Sequence, residues 1–367
     1  MLFVRAATLA DLDAIAQMAR AARPVLHSLP ADRDALRTRI EASEASFLAD
    51  GSAPLEESWL FVLQHGETGA LVGTSSLIAA AGYPEPFYAF RNDTLIHASR
   101  ELHVNRQIHA LTMAHELTGM SRLAGFYIDP SLRGGTAAHL ISRARMMYVA
   151  MHRQRFARQV FSLLLGITDA SGVSPFWEAV GRKFFGRDFR DIEIASGGRS
   201  RTFIAEVMPA YPLYVPLLPV SAQRVLGEVD PGARLAYDIH LEEGFEPDRY
   251  VDIFDAGPVL TAQVDRTASV ARNETRVVAD AAAAAHGVEY LVASDGQAEG
   301  FRCVIATLPP LAHARSVGQA PLDAATRAAL GVKPGDTVRC APVWRRRNAH
   351  RRDEADDADD EDTGDMR

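Results

Sequence analysis

Cysteine is almost absent from this chain of 367 residues, in which only Cys303 and Cys340 occur. The two do not form a CxxC pair, and the sequence shows no clustering of metal-ligand residues around them. This composition argues against both a disulfide framework and a zinc site. It predicts a reducing compartment, so we expect a cytoplasmic protein that holds no metal.

Long hydrophobic runs and basic charge are also scarce. No apolar run approaches the roughly 18 residues of a membrane span, and the first segment, with Arg5 and Asp11, lacks a signal-peptide core. The formal net charge is -8 and the pI about 5.9. Nucleic-acid binders need a basic surface that neutralises phosphates. We therefore expect binding to neither membranes nor nucleic acid, and a cationic substrate suits this charge better.

One stretch, from Leu123 to Tyr148, changes its periodicity halfway and has two glycines at the change. Residues 124–128 are aromatic and apolar and end at Asp129-Pro130, which predicts a strand. A helix with one apolar face is predicted after Gly135, because four residues recur at helical spacing: Leu140, Ala144, Met147 and Tyr148. Three polar residues are expected to point away from that face: His139, Arg143 and Arg145.

The residues between strand and helix, Arg133-Gly134-Gly135-Thr136-Ala137, form a glycine-rich turn at a helix start. Such a turn presents backbone N–H groups to an anion, and the helix dipole favours negative charge there. Glycine also serves simply to leave a strand in many α/β folds, so both interpretations are open. The turn resembles the acyl-CoA loop of the GNAT acyltransferases, in which an arginine and glycines cradle the pyrophosphate. The usual pattern there is Arg-Gly-x-Gly-x-Gly/Ala, which these residues match only if one loop residue is missing.

The remaining elements are predicted in an order that resembles a GNAT lobe. Strands are expected at residues 2–6, 59–63, 71–78, 159–167 and 202–207, and helices after Thr8, from about 32 to 47, and at 221–226. We predict an α/β fold with a GNAT-like acyltransferase lobe (residues 1–205) and a second α/β lobe that completes the active site (206–265). A small β-rich appendage (266–343) and a disordered charged tail (344–367) follow.

An insertion at residues 82–118 contains histidines at six-residue spacing: His97, His103, His109 and His115. A ladder of histidines invites a metal hypothesis. The spacing fits neither one helix face nor the usual ligand pairs, so we expect no metal there.

A closer resemblance is to the bacterial arginine N-succinyltransferases, and it is strongest over roughly residues 1–270. Seven runs carry it: EESWLFVL, YPEPFYAFRN, HASREL, HELTG, SPFWEAVGRKFF, SRTFIAEVMPAYPLYVPLLP and YVDIFDAGP. The resemblance implies transfer of succinyl from succinyl-CoA, as co-substrate and with no other cofactor, to the α-amine of L-arginine in arginine catabolism. Two of the runs, YPEPFYAFRN and HASREL, look most like the alpha subunit of the arginine/ornithine enzyme. A homo-oligomer or a related partner subunit is therefore expected.

Site residues follow from the resemblance position by position. The family's succinyl-CoA contact in the strand before the loop falls on Phe126, and the cradle falls on Arg133, Gly134, Gly135, Thr136 and Ala137. The family's proton donor is a histidine in a Gly-Gln-Val-His-Pro run. This chain has Gly227-Glu228-Val229-Asp230-Pro231, so Asp230 occupies that position, and His240 is a neighbour expected to share its role.

The chemistry also requires a neutral acceptor amine and donors toward the thioester oxygen. The guanidinium of arginine is best held by carboxylates, for which Glu116, Asp252 and Asp255 are candidates, although such residues are more often simply surface or capping residues. Two alternatives to an arginine N-succinyltransferase remain open. In the first, which the change to Asp230 and the shortened loop favour, the chain is a non-catalytic or regulatory subunit. In the second, it is an acyltransferase that uses another amine, such as ornithine.

Overall fold

The computed structural model describes residues 1–22, 29–30, 32–49, 51, 57–83, 85–169, 172–188, 192, 202–280, 287–296, 300–310 and 318–343. Within them, one mixed sheet of 15 strands runs in the order β14-β11-β15-β12-β13-β1-β2-β3-β6-β7-β10-β9-β4-β5-β8. The strands are β1 Leu2–Ala6, β2 Ser58–His65, β3 Leu71–Ile78, β4 Ala89–Ser99, β5 Val104–Ala114, β6 Ser121–Ile128, β7 Gln159–Leu163, β8 Leu213–Tyr214, β9 Glu246–Val251, β10 Pro258–Gln263, β11 Glu274–Asp280, β12 Val288–Gly296, β13 Gly300–Leu308, β14 Gly318–Leu322 and β15 Thr337–Pro342. The helices are α1 Leu12–Ala21, α2 Arg33–Leu48, α3 Thr136–Met151, α4 Pro175–Ala179, α5 Gly181–Phe185, α6 Thr202–Val207, α7 Val220–Arg224, α8 Arg234–Glu243, α9 Ala268–Ala271 and α10 Ala324–Leu330. The α/β prediction is confirmed.

The N-terminal elements form where their sequence patterns predict them. A turn at Thr8 and Asp11, whose side chains cap it, leads into α1, and the Asp32 carboxylate accepts from the Ala35 N–H to cap α2. Alternate residues of β2 then face opposite sides of the sheet. Leu60 packs against α1 and α2, whereas Phe61 packs against α3.

Helix α3 lies in the centre of the core, and this changes one prediction. Apolar residues cover all of its faces, because the helix is enclosed by the sheet and by α8 and α9. The prediction that Arg143 and Arg145 lie away from the apolar interior is therefore wrong, since they are only 1% and 0% exposed. Their charged ends are held by buried polar groups instead.

Strands β3 and β6 are joined by an irregular ladder. Their register shifts between Thr74 and Ser76, and opposite this point Gly125 has a φ of +59°, which favours glycine. The Thr74 hydroxyl donates to the Gly125 carbonyl at 2.9 Å. A Cβ on Gly125 would lie 2.4 Å from the Ser76 hydroxyl oxygen. The strand therefore contains a bulge two residues beyond Leu123.

One segment differs from the sequence prediction, and another, for which no elements were predicted, forms a hairpin. Residues 202–207, predicted as a strand, form α6, because Ile204 packs into a cluster with Trp177 and Met208. The insertion at 82–118 contains the long hairpin of β4 and β5, which pair from Ala89 opposite Ala114 to Ser99 opposite Val104.

The C-terminal strands extend the same sheet. β13 pairs with β1, and β10 pairs with β7, so residues from all three predicted folded regions share one sheet. The predicted β-rich character of residues 266–343 agrees with β11 to β15. The boundaries between lobes stay predictions, and the predicted tail at 344–367 lies outside the described residues. No helix within the described ranges has the length and apolar character needed to cross a membrane.

Candidate active site

The parallel strands β6 and β7 separate toward their carboxyl ends. Their pairing runs from Ser121 opposite Val160 to Leu123 opposite Ser162. β6 then continues to Ile128, whereas β7 ends at Leu163. Because adjacent parallel strands point the same way, the segments that follow them leave the sheet at one edge. The cleft between the two strand ends is the candidate active site.

The glycine turn forms one wall of this cleft. After β6, a 3-10 turn at Pro130–Leu132 leads to Gly135, which stands at the N-cap position of α3 without a side-chain cap. The first N–H groups of this 16-residue helix are therefore left for a bound group. Within the described part of the chain, the buried Nε of Arg133 has no hydrogen-bond partner.

The residues predicted to contact acyl-CoA follow one another along this wall, from β6 through the turn to the start of α3. Phe126 is a half-buried residue of β6 that packs against the α3 side of the core, and residues 133–137 follow in the turn and the helix start. The structure thus brings all six together: Phe126, Arg133, Gly134, Gly135, Thr136 and Ala137. Their contact with acyl-CoA stays a prediction.

Asp230 stands beside β7 on the side that β6 leaves. The backbone N–H of Asp230 donates to the Leu165 carbonyl at 2.9 Å, and Val229 forms an antiparallel bridge with Gly166. The other side of β7 is taken by β10, so Asp230 occupies the cleft side. The residue is 8% exposed, and its carboxylate accepts from the Gly232 N–H at 2.8 Å. One oxygen is engaged by this bond.

Asp252 and Asp255 approach from the loop between β9 and β10. Both are buried, and the Asp252 carboxylate accepts from the backbone N–H of Phe254 at 2.6 Å. The two oxygens of Asp255 accept from the N–H groups of Gly166 at 2.9 Å and Gly257 at 2.7 Å. Asp255 therefore ties the end of β7 to this loop, while Asp252 keeps an oxygen outside these backbone bonds.

The three aspartates lie close enough for their charges to interact. Burial, followed by the charges of Asp252 and Asp230, raises the pKa of Asp255 to about 8. Of the ion pairs among the described residues, none involves Asp230, Asp252 or Asp255. Ionising all three buried aspartates without a cation is unfavourable. A cation bound between them relieves that repulsion.

Glu116, the fourth acidic candidate, has a different setting. Its carboxylate forms an ion pair with Arg91, which also binds Asp93 at 2.9 Å, and its side chain is 43% exposed. Glu116 is therefore already paired within the chain, whereas Asp252 is not. The structure brings Asp252 and Asp255 to Asp230 and leaves Glu116 in a separate surface cluster.

We expect that Asp252→Asn stabilises the protein at pH 8. An unfolded aspartate ionises with a pKa of about 4. Because the pKa of Asp255 is raised, the folded chain holds one more proton than the unfolded chain between about pH 4 and 8. The free energy of unfolding therefore falls as the pH rises through that window. Removing the Asp252 charge lowers this pKa. Asparagine still accepts the Phe254 N–H. Thermal unfolding is expected to show a gain of about 1 kcal/mol at pH 8, or roughly 2 °C, and a smaller gain at pH 5.

Glu228→Gln is the matched control for this variant. It removes the same charge near Asp230 but from an exposed side chain, so its melting temperature should stay near that of the wild type at both pH values. A loss of stability in Asp252→Asn at pH 8 would show that the aspartates do not repel one another.

A second polar group beneath the cleft was missed in the sequence. The Arg143 guanidinium donates to Glu242 at 2.8 Å, and Glu243 accepts from the Ser269 N–H at 2.7 Å. Arg145 lies 3.5 Å from Nε2 of His240. Burial, Arg145 and Arg143 hold the pKa of His240 well below its usual value. One sequence feature could have indicated that these arginines are buried. Apolar residues occur on all sides of α3, so a buried helix is expected, and its arginines then need polar partners inside the protein.

His240 does not take the role expected beside Asp230. Its ring lies against Arg145 and Phe245 at the core end of α8, whereas Asp230 precedes that helix. Two of the four histidines of the insertion have a polar or aromatic neighbour: His109 contacts Asn92, and His97 contacts Tyr214. In the ranges that the structure describes, no three or more His, Cys, Asp or Glu side chains are placed so that they could hold a metal ion together.

The architecture of sheet and cleft defines the class. A parallel strand pair that opens beside a glycine turn at a helix start, within a mixed sheet covered by helices, is the arrangement of a GNAT-like acyltransferase.

Comparisons with known proteins identify the family. A model of the arginine N-succinyltransferase beta subunit matches residues 2–269, and a model of its C-terminal domain matches residues 273–342. The arginine N-succinyltransferase subunit alpha of Pseudomonas aeruginosa is 44% identical over 94% of this chain and 100% of its own length. The arginine N-succinyltransferase of Enterobacter sp. (strain 638) is 34% identical over 92% of this chain and 97% of its own.

A solved structure agrees with this assignment. Arginine/ornithine succinyltransferase subunit AI from Pseudomonas aeruginosa superposes with a TM-score of 0.84 at 41% identity, covering 94% of this chain and 99% of that one. The chain belongs to the arginine N-succinyltransferase family.

Proposed function

We propose that this chain transfers a succinyl group from succinyl-CoA to the α-amine of L-arginine. Membership of the family supports the reaction type. The observation that carries the choice of a cationic acceptor is the group of three buried aspartates without a cation, at the same sheet edge as the glycine turn.

The proposed step needs no resident cofactor. The neutral amine nitrogen attacks the thioester carbonyl carbon, a C–N bond forms and the carbonyl oxygen takes the charge. Collapse then breaks the C–S bond, the CoA thiolate leaves and takes up a proton, and the nitrogen gives up one proton to a base. The products are N-succinylarginine and CoA.

The residues of the cleft have distinct parts in this proposal. Arg133 and the first N–H groups of α3 hold the CoA phosphates, and the free edge of β6 at Phe126 pairs with the pantetheine amides. Asp230, on the cleft side of β7, accepts the proton of the amine. Asp252 binds the substrate cation, because Asp255 is engaged by two backbone N–H groups and Glu116 by Arg91.

Thiol release from succinyl-CoA by the purified chain alone tests the proposal. We expect release that depends on arginine, with N-succinylarginine identified by mass. L-Citrulline is the matched control ligand, since it has the same α-amine and a similar but uncharged side chain, and it should react poorly. Equal rates with citrulline and arginine would exclude recognition of the substrate cation. A higher rate with ornithine than with arginine would show that ornithine is the acceptor. Binding of succinyl-CoA without release would instead indicate a non-catalytic subunit.

Bulky residues in the glycine turn should weaken succinyl-CoA binding without unfolding the chain. A Cβ on Gly134 meets nothing within 4 Å, and one on Gly135 meets only the Leu132 carbonyl at 3.9 Å. The fold therefore has room for Val at both sites, but phosphates bound to the N–H groups do not. We expect Gly134→Val/Gly135→Val to lower the affinity about tenfold by calorimetry, with an unchanged circular dichroism spectrum. Unchanged affinity would show that phosphates bind elsewhere.

We further propose that the chain works in the cytoplasm and assembles with other subunits. Both cysteines are free and buried, as suits a reducing compartment. Two relatives are described as a subunit alpha and a subunit AI, which supports an assembly. Light scattering on the purified chain, alone and with a co-expressed related subunit, distinguishes a homo-oligomer from a hetero-oligomer.

A further inference from the structure

Arg145 is a fully buried arginine that binds no carboxylate directly. Its guanidinium donates to the Ser142 carbonyl at 2.9 Å, to the Ser142 hydroxyl at 2.8 Å and to the Ala124 carbonyl at 3.2 Å. The Nη1 atom that binds Ala124 also lies 3.5 Å from the Ser76 carbonyl. The guanidinium therefore joins α3 to both β3 and β6.

The two strand carbonyls belong to the bulge. Ser76 and Ala124 are paired across the ladder directly after the register shift, and Gly125 follows with its positive φ. A bulge interrupts the ladder hydrogen bonds, and buried carbonyls then need another donor. Arg145 supplies that donor from the α3 side. Its planar fork reaches several oxygens at once, whereas an ammonium is a single point of charge.

The contact lies where the cleft begins. Leu123 is the last β6 residue paired with β7, and Ala124 is the next residue. The position of Ala124 therefore sets the direction in which the unpaired end of β6 continues to Ile128. Any group that pairs with this edge depends on that direction.

We propose that Arg145 is a positioning residue that holds the β6 bulge, and through it the edge at residues 125–128, in the geometry that binds the acyl-thioester arm of succinyl-CoA. The inference rests on the proposed function for the identity of the ligand. The bracing of the strand itself does not depend on it. Arg145 does not touch the substrate in this proposal, because the Ala124 backbone lies between them.

Arg145→Lys and Arg143→Lys form a matched pair for the test. Both replace a fully buried arginine on the same helix, but Arg143 binds Glu242 and not β6. We expect Arg145→Lys to raise KM for succinyl-CoA about tenfold while KM for arginine stays within about twofold. Arg143→Lys should leave both values within about twofold. Equal effects of the two variants on both substrates would overturn the proposal.

Two further measurements keep the test independent of turnover. Amide hydrogen exchange at residues 125–128 of the unliganded chain should be about tenfold faster in Arg145→Lys than in the wild type or in Arg143→Lys. Coenzyme A affinity by calorimetry should fall in parallel. Faster exchange in Arg145→Lys, found together with a wild-type chain that fails to turn over, would support the bracing and count against the proposed function alone. Unchanged exchange in a folded Arg145→Lys overturns the bracing.

Ser142→Ala covers the case in which Arg145→Lys does not fold. This change removes the hydroxyl acceptor that holds the guanidinium and leaves the arginine in place. We expect exchange at residues 125–128 to rise about threefold and KM for succinyl-CoA to rise with it. No change in either quantity would contradict the proposal.

Discussion

Asp230→Asn is expected to lower kcat/KM for arginine by about 100-fold or more, the usual contribution of a positioned base. Asp230 is buried on the cleft side of β7, and its backbone is fixed by the hydrogen bond to Leu165. Asparagine retains an oxygen for the Gly232 N–H, so the local turn should persist. The loss therefore reports the charge and the proton acceptor. Steady-state kinetics with thermal unfolding as a check on folding make the measurement.

Asp230→His is the complementary variant. A free imidazole has a pKa of about 6.5 and a free carboxyl about 3.9, so histidine is the better base near neutral pH, by roughly 3.5 kcal/mol for a difference of about 2.6 pKa units. We expect the histidine variant to exceed the wild-type rate, and the wild type to turn over slowly or to depend on a partner subunit. Asp238→Asn, an exposed change on α8, is the control. If Asp230→Asn is harmless, this position carries no proton and the amine arrives neutral.

Gly257→Ala should both destabilise the chain and abolish activity. A Cβ there would lie 2.1 Å from the Leu164 carbonyl and 2.5 Å from the Gly166 nitrogen, which are backbone atoms that cannot rotate away. The loop and the end of β7 must separate, and the two N–H bonds to Asp255 are lost or distorted. We expect a cost of about 3 kcal/mol and a melting temperature lower by roughly 5 °C.

Activity of Gly257→Ala should be lost even well below its melting temperature, because separation of the loop from the end of β7 moves Asp252 and Asp255 away from Asp230. Gly134→Ala is the control, since its Cβ meets nothing within 4 Å. A Gly257→Ala chain with wild-type stability and rate would show that the close approach is not needed.

The sequence was informative wherever a feature is local. β6, the glycine turn and α3 were predicted because a change from strand to helix periodicity occurs within one short stretch. The helices predicted after Thr8 and from about 32 to 47 likewise form, as α1 and α2. These predictions are confirmed.

Features that depend on distant contacts were not predictable in the same way. Asp230, Asp252 and Asp255 were named individually, but they come together because the segment after β7 binds Asp230 through Leu165 and Asp255 through Gly166, and both aspartates lie far along the chain from it. Residues 202–207 have a strand pattern that packing overrode, because Ile204 fits the cluster around Trp177.

Arg145 shows why a helical pattern can mislead. Assigning one apolar face placed Arg145 away from that face and so away from the core, whereas α3 is surrounded on all sides. The arginine is then buried with backbone oxygens as partners. The identity of those partners depends on a bulge in β6, and the sequence around Arg145 does not predict that bulge.

The pairing of β1 with β13 has a consequence for synthesis of the protein. Val4 and Cys303 are partners in this ladder, so the first strand made must wait for nearly the whole chain before its outer edge is covered. At about 5–20 residues per second, translation of the intervening 300 or so residues takes roughly 15–60 s. During that time the nascent β1 presents an open strand edge on the ribosome. Chains released early, before β13, retain that edge and are expected to be substrates for chaperones and to aggregate.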